Sequence, residues 1–171
     1  YNEFDTQRNI LYELVTDHIV NGLVILGTIN TYAPMHKPIE FYQRYSSLPL
    51  VHIGLPLENI PTVMATAEAG LYAAVVHLIR AHHYHRIAFI NSPENRPMAR
   101  PRYQAYAQAL TDYGIAIDPA IVIAGDWTVH SGGVAGERRL DHHKADVQAI
   151  CASNDNMALG ALAALQARGI H

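Results

Sequence analysis

Short apolar runs alternate with amphipathic helical patterns along most of the chain, and this alternation most constrains the fold. Runs such as Leu50–Ile53 have the length and composition of buried strands. Strands separated by helices imply parallel pairing through right-handed crossovers, so the sequence predicts an α/β architecture. The pattern predicts strands at Leu23–Leu26, Leu50–Ile53, Ile87–Ile90, Ile121–Ala124 and Val147–Ala152, and helices at Arg8–Ile19, about Ile39–Tyr45, about Ala65–Ala81, Arg102–Tyr113, Gly133–Leu140 and Met157–Arg168.

Charge and composition exclude several classes of protein. A formal net charge of −3 lacks the basic field that nucleic-acid backbones attract, so this stretch is not expected to bind DNA by itself. The apolar runs are far shorter than the roughly 20 residues that cross a bilayer, and no signal segment opens the chain. The single cysteine, Cys151, cannot form an internal disulfide. We therefore expect a soluble, cytoplasmic protein with no membrane partner.

Two long segments resemble the lactose-repressor (LacI/GalR) family of transcriptional regulators. Residues Val63–Ile90 read VMATAEAGLYAAVVHLIRAHHYHRIAFI, with the family's glycine, His-Leu-Ile and Arg-Ile-Ala-Phe-Ile in order. Residues Ala149–Gly169 read AICASNDNMALGALAALQARG, similar to the family's strand ending in Asn-Asp before a Met-Ala-Leu-Gly-Ala helix. Arg102 and the Gly125–Trp127 segment stand where the family pattern expects them. The resemblance thus covers nearly the whole chain.

The resemblance implies a two-lobed sensor of the periplasmic-binding-protein-like type I fold. It places part of the first lobe at residues 1–86 and part of the second at 87–171, with a hinge near His85 to Ile87. Family members also carry a helix-turn-helix head and further strands, so the chain is expected to be incomplete at both ends. The glycine usual at the end of the long helix is replaced by His83, which is costly if that position needs a positive φ.

Ligands of such sensors lie at the carboxyl ends of parallel strands, where loops of two lobes meet. Arg102, Trp127, Asn154 and Asp155 lie in or beside the loops that follow predicted strands. A guanidinium, an aromatic face and carboxylate oxygens suit a polyhydroxylated ligand, so a sugar-like effector is the expected partner. The structural alternative is that Arg102 is a surface residue, Trp127 a loop anchor and Asp155 a helix N-cap.

No cofactor, metal or catalytic site is predicted. Histidines crowd one helix end, and His142 and His143 form another pair, but solvated residues explain them better than metal ligands do. Signatures of serine hydrolases, phosphate-binding loops and zinc peptidases are absent from the sequence. The run Gly132–Gly136 lacks dinucleotide-loop spacing and is interpreted as a flexible loop and helix start. Cys151 is expected to be a buried, inert thiol.

These observations predict the effector-binding part of a cytoplasmic, homodimeric transcriptional regulator and not an enzyme. Ligand binding between two lobes would shift a conformational equilibrium and so control DNA binding by a head outside this chain. Two alternatives remain open at this point. One is a sensor module fused to a signalling enzyme, such as a nucleotide cyclase or a histidine kinase. The other is a secreted solute-binding protein.

Overall fold

The chain forms two compact units, Tyr1–Ala65 and Thr66–His171. The computed structural model describes residues 15, 18–26, 42–54, 58–64, 66–93, 98–142 and 147–170, and for 138–142 it describes the backbone alone. The predicted helix Arg8–Ile19 lies outside the described residues, apart from 15, 18 and 19. Of the predicted helix near Ile39–Tyr45, residues 42–44 are described and are helical.

The first unit contains a parallel sheet of three strands in the order β1-β2-β3. β1 spans Leu23–Leu26 and β2 spans Leu50–Ile53, as predicted. Both strands are in register from end to end, because Leu23 pairs with Leu50 and Leu26 with Ile53. β3, Thr62–Val63, was not predicted, since two residues are too few to show a strand period.

The core of the first unit combines apolar and aromatic side chains with one histidine. Ile25 and its register partner His52 are buried on the same face of the sheet. The ring of Tyr42 meets the His52 imidazole edge-on, with 5.8 Å between centroids. Within the described parts of the first unit, neither imidazole nitrogen of His52 has a hydrogen-bond partner. A buried polar group without a partner lowers stability, so this core carries a local cost.

The second unit contains a parallel sheet in the order β5-β4-β6. Its central strand is flanked on both sides, since Phe89 pairs with Val122 of one neighbour and Cys151 of the other. Helix follows strand throughout, as the predicted α/β architecture requires. The elements are α1 (Ala67–His82), β4 (Ile87–Asn91), α2 (Ala99–Asp112), a 3₁₀ turn (Pro119–Ile121), β5 (Val122–Ala124), α3 (Val129–His142), β6 (Ala149–Ala152) and α4 (Asp155–Gln166).

Helices α1 and α2 cover one face of this sheet. Phe89 stacks on Tyr106 of α2 with ring centroids 4.7 Å apart, and the Tyr106 hydroxyl donates to the carbonyl of Ile87 over 2.8 Å. Cys151 is buried in the same cluster, and burial raises the pKa of its thiol to about 11. The expectation of a buried thiol is therefore confirmed. Within the described parts of the chain, no helix has the length and apolarity to cross a membrane.

Helices α3 and α4 cover the opposite face and cross at glycines. A Cβ on Gly132 would overlap the Met157 backbone, and a Cβ on Gly160 would overlap the carbonyl oxygen of Val129. Gly132–Gly136 was interpreted as a flexible loop and helix start. The helix is confirmed, but the loop part was wrong, because these residues lie inside α3, which starts at Val129. Their lack of side chains brings the two helix backbones into contact, and this tertiary packing outweighs the low helix propensity of glycine.

Helix α1 belongs to the second unit, because Val75 and Ile79 are buried in the cluster that contains Phe89. The compact units therefore divide after Ala65, whereas the predicted lobe boundary lies between residues 86 and 87 and remains a prediction. At the end of α1, His83 adopts a left-handed conformation with φ of 56°. This position does require a positive φ, so His83 carries the expected strain where glycine is usual.

Candidate functional site

The carboxyl ends of three parallel strands meet at one edge of the second sheet. Ser92 follows β4, Gly125–Trp127 follow β5, and Ser153 and Asn154 follow β6. α2 begins shortly after β4 and places Arg102 beside the same edge, within its first turn. Loops at such an edge are the usual ligand-binding position of open α/β sheets.

Arg102 joins two of these loops. Its Nη1 donates to the carbonyl of Ser153 over 2.8 Å. Its guanidinium carbon lies 5.1 Å from the centroid of the Trp127 ring, within cation–π range. The Nε atom is buried, and no described residue accepts a hydrogen bond from it, so this donor of the fork is unsatisfied within that part of the chain. Partial burial lowers the pKa of Arg102, and the carboxylates of Glu68 and Asp155 oppose that shift.

Trp127 is half-buried and held from two sides. Its backbone is left-handed, with φ of 76°, an uncommon and strained conformation for a bulky residue. The Asn154 side-chain amide donates to its carbonyl oxygen over 3.0 Å. The indole Nε1 is buried, and none of the residues that the structure describes accepts a hydrogen bond from it. Arg102 and Trp127 therefore each carry a buried N–H group that a bound acceptor can satisfy.

The loop that carries Trp127 is fixed by the carboxylate of Asp126. This carboxylate accepts from the Thr128 backbone N–H over 2.9 Å and from the Thr128 hydroxyl. Hydrogen bonds from Ser131 and Thr128 lower the pKa of Asp126 to about 2. The loop therefore enters α3 through a charged turn, which orders the backbone on the carboxyl side of Trp127.

Asn154 is the N-cap of α4. Its side-chain oxygen accepts from the backbone N–H of Met157 over 3.0 Å, while its amide holds Trp127. One amide hydrogen then remains for a ligand. Asp155, the neighbouring candidate, is an exposed residue of the first turn of α4 and acts on Arg102 through charge alone. The structure therefore places both Arg102 and Asn154 in contact with Trp127 and leaves Asp155 at the margin.

Two serines at this edge were not among the predicted site residues. Ser92 and Ser153 are buried, and their hydroxyl oxygens lie 2.5 Å apart. They are 61 positions apart in sequence, so only the pairing of β4 with β6 joins them. The one available sequence signal was their position within two residues of the end of a predicted strand.

A separate surface groove of 670 Å³ lies between α1 and α2, with Glu68, Tyr72 and Gln108 among its lining residues. It does not reach the loops at the strand ends, so we do not assign the ligand to it. Among the described residues, no three His, Cys, Asp or Glu side chains come together as metal ligands. His143 and the side chain of His142 lie outside the description, and the absence of a metal site remains a prediction.

Comparison with known proteins places this architecture in a family. Residues 75–171 match the model of the periplasmic binding protein-like domain. The chain belongs to that family. The parallel pairing of all three strands in the second sheet agrees with this membership.

Several relatives of this periplasmic binding protein-like domain are transcriptional regulators, which confirms the resemblance to the lactose-repressor family. The transcriptional repressor CytR of Escherichia coli strain K12 is 30% identical over 164 residues, covering 96% of this chain and 47% of CytR. A sugar-binding LacI-family regulator from Escherichia coli, complexed with phosphate, is 27% identical at a TM-score of 0.68, covering 97% of this chain and 58% of that one.

A third similar protein is the regulator CelR in complex with cellobiose. It is 28% identical at a TM-score of 0.71, covering 99% of this chain and 50% of the CelR chain. The present domain spans about half the length of the curated relatives that it matches.

Proposed function

We propose that this chain is the effector-binding part of a transcriptional regulator and that its ligand is a sugar or a related polyhydroxylated metabolite. The observation that carries the proposal is the Arg102 guanidinium over the Trp127 indole at the carboxyl edge of the second sheet, where each side chain has an N–H group without a partner among the described residues. Hydroxyl oxygens of a ligand accept such bonds, and the apolar face of a sugar ring packs against an indole.

The named relatives support the same ligand class. One structural neighbour is described as sugar-binding, and another was solved with cellobiose. A neutral, hydroxyl-rich ligand also suits the mixed charge of the site, where Arg102 is flanked by Glu68 and Asp155. In this proposal Arg102 and Trp127 contact the ligand, Asn154 contributes one amide hydrogen, and Asp155 contributes its negative charge.

The proposed output is control of DNA binding by a helix-turn-helix head in a cytoplasmic homodimer, without catalysis by this part of the chain. The curated relatives named as transcriptional repressors support this output. Exposed Leu159 and Leu162 lie three residues apart on α4 and so share one helix face, which supports self-association. Sedimentation of a Leu162→Lys variant beside the parent tests that face, since a monomeric variant is expected.

The lobe boundary is part of the proposal. The oxygen of the Gln148 side chain accepts from the backbone N–H groups of both His85 and Arg86, over 2.8 and 3.0 Å. The Arg86 guanidinium also pairs with Asp118 at 2.9 Å. In this proposal the boundary lies between residues 86 and 87, and these bonds hold the hinge segment, His85 to Ile87, against the second unit. Structures with and without ligand would show which segment changes its backbone angles.

The proposed ligand class is tested by titration of pentoses, hexoses, disaccharides and nucleosides. Trp127 is the only tryptophan, so a saturable change in its emission reports binding at this edge. Arg102→Ala should weaken calorimetric binding by about 1.5–3 kcal/mol, the range for hydrogen bonds to a charged group. Arg100→Ala, two positions away on the exposed face of α2, is the matched control and should keep parental affinity.

Two results would contradict the proposal. A compound that binds Arg102→Ala and Trp127→Ala as tightly as the parent would remove both residues from the site. A panel without any binder would count against the ligand class once repeated on a longer chain that carries both complete lobes.

A further inference from the structure

A buried pair of hydroxyl groups joins the ends of β4 and β6. The Ser92 side chain is on a residue only 2% exposed and the Ser153 side chain on one 6% exposed, and their oxygens lie 2.5 Å apart. Each hydroxyl thus obtains a hydrogen-bond partner in a place that water does not reach. The hydrogen bond between them links the residue after β4 to the residue after β6.

The carbonyl group of Ser153 connects this hydroxyl pair to Arg102. The ladder between β4 and β6 ends where Ala152 pairs with Ile90, and the Ser153 N–H makes one further bond to the Ile90 carbonyl over 3.0 Å. The carbonyl of Ser153 itself makes no bond in the ladder and accepts a hydrogen bond from Arg102. The Ser92 contact attaches the Ser153 side chain to the end of β4, and the carbonyl that accepts from Arg102 belongs to the same residue.

The same carbonyl closes a ring of contacts around the site. Arg102 bonds to Ser153, the next residue Asn154 holds the Trp127 carbonyl, and the Trp127 ring lies under the Arg102 guanidinium. This ring of contacts therefore joins the end of β5 to the end of β6, and Ser92 attaches it to the end of β4. A displacement of the Ser153 carbonyl would move Arg102 relative to the indole.

We propose that Ser153, paired with Ser92, is a positioning residue that sets where Arg102 lies over Trp127. The proposal gives neither serine a ligand contact, because each hydroxyl already has the other as its hydrogen-bond partner. The proposal concerns the geometry of the ligand-free site, and its importance for binding rests on the proposed function. Support of a ligand-contacting side chain by a buried polar group behind it is a general requirement of preorganised sites.

The test uses the emission of Trp127 without any ligand. Arg102 shields one face of the indole, so its displacement should raise the quenching constant for acrylamide, an uncharged quencher. Ser153→Ala and Ser92→Ala each remove the hydroxyl contact and should raise that constant toward the value of Arg102→Ala. Ser92→Ala removes the contact while Ser153 stays unchanged, so it tests the proposal even if Ser153→Ala does not fold. Thr111→Ala deletes an exposed hydroxyl of α2 and should leave quenching at the parental value.

A double substitution separates positioning from general destabilisation. If Ser153 acts through Arg102, Ser153→Ala should add no further quenching in the Arg102→Ala background. A folded Ser153→Ala variant with parental quenching would overturn the proposal, as would an additive effect in the double variant. Since no ligand enters these measurements, a silent sugar panel would refute the proposed function and leave this result intact.

Discussion

The two sheets contain strands that look alike in sequence and are buried differently. In β4, Ile87 to Ile90 are at most 1% exposed, whereas in β1 buried Ile25 stands between Val24 at 74% and Leu26 at 51% exposure. Among the described residues, β4 is the centre of its sheet and has apolar clusters on both faces, while β1 is at an edge and alternates. An uninterrupted apolar run therefore identifies a strand and does not reveal how many of its faces are covered.

The largest effect should come from the centre of the second sheet. Phe89→Ala removes a fully buried ring that stacks on Tyr106, and it should lower the free energy of unfolding by about 3–5 kcal/mol. Denaturant unfolding followed by Trp127 emission reports this unit specifically. A loss below about 1 kcal/mol, the scale of a single lost methylene, would mean that the second core is no tighter than the first.

A smaller loss is expected where α3 crosses α4. Gly160→Ala places a methyl group on the Val129 carbonyl, so the helices must separate, at a cost of about 1–3 kcal/mol. Gly133→Ala is the matched control in α3, because its nearest neighbour would be the Gly160 carbonyl oxygen at 3.6 Å, an ordinary contact. The control should be neutral or stabilise the helix by up to about 1 kcal/mol. Equal losses in both variants would contradict the close crossing.

The loop before α3 should make the second unit sensitive to acid. The pKa of Asp126 is about 2 in the folded protein, below its ordinary value of 3.8, so the ionised form stabilises the fold. That contribution is complete above the ordinary pKa and is lost as pH falls through the folded value. Unfolding measured at several values between pH 7 and pH 2 should show a shallower decline for Asp126→Asn than for the parent. Parallel curves would indicate that the turn is not held by the charge.

The smallest effect is expected on the exposed side of the first sheet. Val24→Ala removes methyl groups that already contact solvent, so the free energy of unfolding should change by no more than about 0.5 kcal/mol. Ile25→Ala, one residue along the same strand, is the comparison and should cost about 2–5 kcal/mol. Unfolding of both variants is followed by far-ultraviolet circular dichroism. Similar losses of unfolding free energy in the two variants would contradict the difference in burial between the two faces of β1.

The sequence predicted much of this fold because each longer element has its own local period. Observed strands and helices agree with the predictions within a few residues, apart from the short β3 and the start of α3. The start of α3 was missed because Gly132 and Gly133 have low helix propensity. The helix forms there because these glycines pack closely against α4, a contact that the local sequence does not show. Arg102 and Trp127 were placed beside the strand ends, but their contact depends on strand order, which a single sequence does not encode locally. The Ser92–Ser153 pair was missed for the same reason.

The rate at which Cys151 is chemically labelled can report how often the second sheet opens. Cys151 is the only cysteine in the chain, and it lies in β6 beside Phe89, where its thiol is buried and protonated at neutral pH. A thiol reagent in excess can modify it only during moments when this part of the sheet opens, since the thiolate is the reactive form. The rate of labelling therefore measures the frequency of those openings. A ligand held at the carboxyl edge of the sheet should slow the labelling in proportion to its occupancy.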